Sequence, residues 1–360
     1  MNTKRSRIKV SSPGRIVLFG EHSDYLGLSV IPAAVNLRII FDGFIQDKPH
    51  INIDFKDIDR KDQFALTSQV TYRWKRDYVR AGVNVLRRLG SIFPGIECEV
   101  TSTIPIAAGL SSSSALVVAW LGLLNSIGKL GFSSEEIAQL AFEAEVLEFK
   151  EAGGMMDHYT SVLGGLLSID FSQSPPLIEN LPAYLGDIVI GDSLQKKKDT
   201  VGDLMRLKAQ FNEGSVFIKS KLPSFNLNTI SFEEAQGILE NASCSKLILS
   251  AIKNRDITNR AKELLRTPHP DPKTVGSLIN TEHQLLRDEL KRSTSKIEKM
   301  INAALDAGAL GCKINGSGGG GCMIAYAPEY SQEVAEAVNS AGGKVYHVQI
   351  DSGFRVEYKT

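Results

Sequence analysis

The chain opens on two β-branched runs, Ile8 and Val10 interleaved with Arg7 and Lys9, then Ile16-Val17, with Pro13-Gly14 between them. Alternating polar and β-branched residues predict strands, and Pro-Gly predicts a turn, so this start reads as two strands around a turn. Residues 30–45 and 96–102 read as further strands. Between them Tyr78, Val79, Val83 and Leu86 fall at helical spacing and predict a helix over 71–89. Residues 112–127 form a long apolar helix entered from a Gly/Ser turn. A second helix, 133–150, opens on Ser133-Ser134-Glu135-Glu136, residue types that cap a helix N-terminus. Residues 156–163 read as helix and 165–171 as strand.

A Pro/Ser-rich stretch at 172–176 breaks the pattern and places a domain boundary near residue 180. Beyond it, 187–190 reads as a strand. Most of 199–309 reads as helix, with loops at 223–228 and 267–272, and residues 313–327 and 344–358 alternate as strands do. A chain of 360 residues, 42% of them hydrophobic, has the material for two domains with real cores. Its 41 basic and 41 acidic residues cancel, which leaves no electrostatic footprint for nucleic acid or an anionic membrane. Cys98, Cys244, Cys312 and Cys322 are too scattered for a disulfide framework or a zinc site. The basic N-terminus lacks the apolar stretch of a secretory signal, and the longest apolar run, 115–124, is too short to span a bilayer. The expected location is the cytoplasm.

Four segments carry candidate chemistry. In residues 105–115, Pro105-Ile-Ala-Ala-Gly109-Leu110-Ser111-Ser112-Ser113-Ser114-Ala115 follows a strand and opens a helix. Small residues admit an anion to the backbone, and a helix N-terminus aims N–H groups and the positive end of its dipole at a phosphate. It is not a Walker A loop, and its composition suits a flexible serine-rich loop equally well. In residues 316–322, five of the first six positions are glycine, the mark of a tight turn or a close backbone contact. Residues 12–25 set Arg15, Glu21, His22 and Asp24 around an apolar strand; Glu21 and Asp24 offer acceptors for hydroxyls, and Arg15 suits a transferring phosphate. Charged loop residues are more commonly just solvated. In Gly153-Gly154-Met155-Met156-Asp157-His158, an acid beside methionines and glycines suits burial and catalysis, although a lone Asp more often caps a helix.

Together these segments resemble the GHMP kinase superfamily. Residues 105–115 resemble its phosphate-binding motif and residues 316–322 its C-terminal glycine motif. Within it the galactokinase branch is nearest. Gly14-Arg15-Ile-Val-Leu-Phe-Gly20-Glu21-His22-Ser23-Asp24-Tyr25 resembles that branch's signature. The spacing from Ala144-Glu145 to Met156-Asp157 is kept, and His283-Gln-Leu-Leu286-Arg287-Asp288 resembles a further element. Departures fall at Leu26 and Leu28, at His158, and over residues 192–200, which include Lys196, Lys197 and Lys198, candidates for contact with an acidic sugar.

The resemblance implies a two-domain α/β (α+β) fold: a ribosomal-protein-S5-like ATP-binding domain over 1–180, a ferredoxin-like domain over 181–360, and an active site in the cleft between them. It implies ATP and Mg²⁺ as cofactors and a small sugar as partner. Pro105, Gly109, Leu110 and Ser111 to Ser114 would hold ATP, with Ser112 or Ser113 and Glu145 on Mg²⁺. Asp157 and Arg15 would be catalytic. Glu21, His22, Asp24, Gly154 and Asp157 would bind the acceptor, most plainly the anomeric hydroxyl of galactose or a related monosaccharide. Another sugar, a uronic acid or a mevalonate-type alcohol stays open. A dinucleotide-dependent oxidoreductase is opposed by the lack of Gly-x-Gly-x-x-Gly after the first strand. A sugar-sensing regulator is opposed by the presence of both Arg15 and Asp157.

Overall fold

The computed structural model describes residues 7–195, 200–239 and 245–359. Lys196, Lys197, Lys198 and Cys244 lie outside these. The first strand, β1 (Arg7–Phe19), runs straight through Pro13-Gly14. The expected turn is instead a register shift against β2 (Ile31–Gln46). Gly14 is required there by proximity, since a Cβ at this position would lie 2.9 Å from the Leu110 carbonyl oxygen. The hairpin β3 (His50–Phe55) and β4 (Arg60–Ala65) follows, and then α1 (Tyr78–Arg88), β5 (Gly95–Ser102) and α2 (Ser112–Gly128). The α1 helix is shorter than the 71–89 span its apolar spacing predicts, because Asp77 caps its N-terminus by accepting from the Arg80 N–H.

The capping pattern at residue 133 is realised as a full capping box of Ser133 and Glu136 on α3 (Ser134–Phe142). The helix then widens into a π turn, Glu143–Leu147, and does not run on to residue 150. Helix α4 (Met156–Leu163) and the ribbon of β6 (Leu167–Asp170) and β7 (Leu177–Asn180) end this half. Next come β8 (Ile188–Asp192), α5 (Thr200–Lys221), α6 (Phe232–Ile238), α7 (Ser245–Leu265) and α8 (Pro272–Gln284). Then follow α9 (Ser295–Asp306), β9 (Gly311–Ile314), β10 (Cys322–Tyr326), α10 (Ser331–Ser340), β11 (Lys344–Val348) and β12 (Arg355–Lys359).

Two sheets organise the molecule. The first has the order β12-β1-β2-β5-β3-β4, with only the β3–β5 pair parallel. The second, β11-β8-β10-β9, is antiparallel throughout, with α9 and α10 packed on it. This is the two-domain mixed α/β arrangement that the resemblance implies. The chain passes from one sheet to the other between β7 and β8, and β12 crosses back to pair with β1.

Helix α2 is apolar on nearly every side because β1, β2, α1, α3 and α4 all pack against it. Its Trp120 is fully buried, and the indole N–H finds the Val79 carbonyl at 2.9 Å, so the ring is buried without an orphaned donor. The same core runs on to Ile188, Ile190 and Ile324, so the two sheets share one apolar interior. A third cluster joins Leu28 to Phe211, Ile218, Ile248 and Ile252 of α5 and α7, with Leu26 packed at its edge. Leu26 and Leu28 thus anchor the helical layer to the loop that follows β1. Among the described residues no helix is long and apolar enough to cross a membrane.

Candidate active site

Three loops meet at one end of α2. The first is the run from residue 105 into that helix. Ala107, Gly109 and Ser111 all take positive φ, and Ser111, at φ 55°, sits just before the helix. This tight path turns the first-turn N–H groups of a 17-residue helix outward. Ser112 and Ser113 are half-buried at its mouth, while Ser114 and Leu110 are buried. Leu110 therefore shapes the loop from beneath, and Pro105 begins it as a half-buried residue. Backbone amides and two hydroxyls at the head of a helix are a donor set suited to nucleotide phosphates.

Arg15, on β1, is buried and crosses beneath this loop. Its Nη1 donates to the Gly109 carbonyl at 2.6 Å. Nε and Nη2 donate to the two carboxylate oxygens of Asp157, at 2.7 and 3.0 Å. The Ser111 hydroxyl donates to Asp157 as well. Asp157 stands in the first turn of α4, where the helix dipole also favours a carboxylate. Burial works against its ionised form, but Arg15 and then Ser111 outweigh it and hold its carboxyl below the usual carboxylate range. Arg15 is pushed the other way: burial opposes its charge, and Asp157 and Glu21 more than restore it.

Asp24 lies in the loop after β1. Burial, and then the charge of Asp157, push its carboxyl up to about 6. It rests directly on Gly154, where a Cβ would fall 2.0 Å from Oδ2. Gly154 is thus demanded by the close approach of Asp24. The two carboxylates are near enough for the charge of Asp157 to act on Asp24, and Arg15 acts on both.

Glu21 and His22, both expected to read hydroxyls, are buried in the same loop as Asp24. Glu21 is only 3% exposed. Its Oε2 accepts from the Gly316 N–H at 2.8 Å and stands 3.4 Å from the Lys313 nitrogen. Burial opposes its charge, yet Lys313, Arg15 and His22 keep its carboxyl below the ordinary range. His22, at φ 65°, lies 3.3 Å from the Tyr25 hydroxyl through Nδ1. Glu145, in the π turn packed against α2, holds its Oε2 2.8 Å from Nε2 of buried His158. Among the described residues no group of three or more His, Cys, Asp or Glu is arranged to hold a metal. A cation here would need oxygens from a phosphate in addition to Glu145 and the serine hydroxyls.

The glycine turn closes the arrangement. Gly316 and Gly318 to Gly321 all have positive φ, so only glycine follows this path without strain. The N–H of Cys322 bonds the Ala108 carbonyl at 2.8 Å, tying the turn to the phosphate loop. Asn315 does the same, bonding the Gly109 carbonyl at 2.8 Å and the Val17 N–H at 2.8 Å. The element at residue 283 is a structural knot: His283, Arg287 and Ser293 converge on Glu298.

Sequence reasoning missed Lys313, Glu282, Asn254 and Asn315. The signal was present. Lys313 is the one charged residue in the short strand Gly311–Ile314, and Glu282 falls on the apolar stripe of Val275, Leu278 and Ile279.

Comparison with known proteins accords with this geometry. Residues 77–165 match the GHMP kinases N terminal domain, 261–344 match GHMP kinases C terminal, and 2–41 match the galactokinase galactose-binding signature. The chain is 32% identical to the mevalonate kinase of Thermococcus onnurineus, covering 98% of each chain. It is 27% identical to the galactokinase of Haemophilus influenzae, over 89% of this chain and 85% of that one. Among solved structures, Lactococcus lactis galactokinase complexed with galactose superposes with a TM-score of 0.87 at 23% identity, covering 97% of this chain and 95% of that one. The mevalonate kinase of Methanococcus jannaschii follows at 0.74 and 17%, covering 98% and 100%. On the family matches and the full-length likeness to mevalonate kinases, the chain belongs to the GHMP kinase family.

Proposed function

We propose that this kinase transfers the γ-phosphoryl group of ATP to the anomeric hydroxyl of a monosaccharide, galactose or a close relative. The observation that carries the reading is Asp157, gripped by Arg15 and Ser111 and near enough to Asp24 for its charge to act there. The galactose-binding signature across residues 2–41 covers both Arg15 and Asp24 and supports a sugar as the acceptor.

In this reading the head of α2 holds the nucleotide phosphates. Ser112 or Ser113 with Glu145 holds Mg²⁺, which supplies charge neutralisation of the phosphates when bound. Arg15 faces the phosphate loop and Asp157 together, so it stabilises charge on the group in transfer. Asp157 accepts a hydrogen bond from the attacking hydroxyl and aims its oxygen along the line of transfer. Arg15 makes it a weak base, so the proton leaves late, as suits a loose phosphoryl-transfer transition state. Asp24 accepts from a second hydroxyl and fixes the ring, and the 20–25 loop forms the far wall of the site.

The second reading is mevalonate, supported by the 30–32% identity of archaeal mevalonate kinases along nearly the whole chain. One experiment separates the two. Purified protein is mixed with MgATP and, in turn, neutral hexoses, pentoses, uronic acids, homoserine and mevalonate, and products are identified by phosphorus NMR. A sugar 1-phosphate supports the proposal; phosphomevalonate with every sugar inert replaces it.

A further inference from the structure

Lys313 is a lysine with no exposure at all, in the middle of a protein with ample surface for its charges. It belongs to β9 of the second sheet, yet its nitrogen reaches the first. It donates to the Val17 carbonyl of β1 at 2.9 Å and stands 3.4 Å from Glu21 Oε2. A second buried acid, Glu282 of α8, lies 4.0 Å from the same nitrogen. Glu282 also accepts from the Glu21 N–H at 2.9 Å. Asn254 of α7 donates to the Glu21 carbonyl at 2.8 Å and lies 3.1 Å from the Ser23 hydroxyl. The loop that carries Asp24 is therefore held by its N–H, its carbonyl and its carboxylate, each from a different element of the C-terminal half.

Two more contacts set the direction of control. Two and three residues after Lys313 stand Asn315, which holds the phosphate loop through the Gly109 carbonyl, and Gly316, whose N–H holds Glu21. One short stretch, 313–316, thus grips the phosphate loop and the acceptor loop together. A buried ammonium is retained only where its partners repay its desolvation, and removing it takes the nearest counter-charge from the buried Glu21.

We propose that Lys313, acting through Glu21, is the positioning residue of the acceptor loop, so that Asp24 is seated over Gly154 and Asp157 only while the end of β9 is docked against β1. Lys313 touches neither the nucleotide nor the acceptor. Its removal is felt at the acceptor loop, while Asn315 and the backbone of 105–114 still hold the phosphate side. The inference rests on the acceptor site as proposed above, but the arrangement of the loop is measurable without any acceptor.

The experiment uses the full chain with Lys313→Met, a near-isosteric neutral replacement, and Asn254→Ala, which removes two hydrogen bonds and strands no charge. Hydrogen–deuterium exchange is read separately over residues 20–26 and 105–114, without acceptor. Kinetics are then measured with whichever acceptor the wild type phosphorylates. The expected result is at least tenfold faster exchange over 20–26 with 105–114 unchanged. The acceptor KM should rise at least tenfold while the MgATP KM stays within twofold. Asn254→Ala should give the same signature, smaller, and it carries the test if Lys313→Met does not fold. Equal acceleration at both loops, or equal losses for ATP and acceptor, makes Lys313 a structural residue only and overturns the proposal. Selective exchange at 20–26 in a protein that phosphorylates no sugar leaves the positioning role standing and refutes the sugar reading alone.

Discussion

The loop proposed to hold phosphate and the loop proposed to hold the acceptor flank the same aspartate but differ in where their working groups come from. Residues 105–114 supply theirs locally, from small residues at positive φ, backbone amides at the head of α2 and adjacent serines, while Arg15, Asn315 and Cys322 brace only their carbonyls from afar. The acceptor loop is assembled from a distance, with its backbone and Glu21 bonded to Asn254, Glu282, Lys313 and Gly316. Phosphate is common to every reaction that uses ATP and can be met by a motif. The loop proposed to hold the acceptor takes its geometry from the C-terminal half of the chain.

The sharpest test of this contrast is the residue both loops share. Asp157→Asn should lower kcat by roughly a hundredfold or more, as expected when a group that accepts the hydroxyl proton is replaced by an amide, with MgATP binding retained. Fluorescent-nucleotide binding and turnover, measured together, check it; wild-type turnover in the folded variant removes Asp157 from the mechanism.

The acceptor side should then fail alone. Asp24→Ala is expected to reduce kcat/KM for the acceptor by about tenfold to a hundredfold, the cost of leaving a bound hydroxyl unpaired, without moving the KM for MgATP. Asp24 carries a raised pKa of about 6. Below that value it is protonated, one oxygen becomes a donor and the charged acceptor is lost, so wild-type kcat/KM should fall as pH drops through about 6. That acid limb should vanish in Asp24→Asn, and an unchanged limb would assign the titration elsewhere.

On the phosphate side, Glu145→Gln keeps a partner for His158 but removes the charge. About a tenfold rise in the Mg²⁺ concentration for half-maximal activity is expected, from the loss of one anionic ligand, with the acceptor KM unmoved. An unaltered Mg²⁺ titration would make Glu145 a packing residue.

The smallest effect is on stability. Burial, eased in part by Lys313, pushes the Glu282 carboxyl up to about 7. The folded chain therefore holds this proton where the unfolded chain has lost it. The associated stability is present below the ordinary carboxylate range and is lost as pH rises towards 7. Urea unfolding from pH 5 to pH 8 should show a decline of about 1 to 3 kcal/mol from this group. Glu282→Gln should flatten that decline, and an equal slope in both proteins would rule Glu282 out as its source.

The same division decides what could be read from the residues alone. Helix α2, the Ser133 cap and α4 were legible because short-range pattern fixes them. Sequence reasoning missed the hairpin of β3 and β4, although β3 alternates strictly, with Ile51, Ile53 and Phe55 between polar residues; β4 has apolar residues only at Phe64 and Ala65 and gives no such signal. Pro13-Gly14 reads as a turn until the Leu110 carbonyl is seen pressing on Gly14 from nearly a hundred residues away. In the site, Arg15, Asp157 and Asp24 stand out through the motifs that contain them. What Glu21 does depends on Lys313, and no local rule couples residues so far apart.

The pairing of β12 with β1 has a consequence for how the molecule is made. Arg7 lies opposite Lys359, so one flank of β1 has no partner until almost all of the described chain has been synthesised. During that interval the edge from Arg7 to Ser11, with open amide and carbonyl groups and with Ile8 and Val10 between polar residues, is a template for pairing with a neighbouring nascent chain. Contacts this distant also close slowly. Low temperature or a holdase chaperone during expression should therefore raise the soluble yield. Substitutions that weaken β12, such as a proline at Val356, should cost more in aggregated product than in the activity of the molecules that do fold.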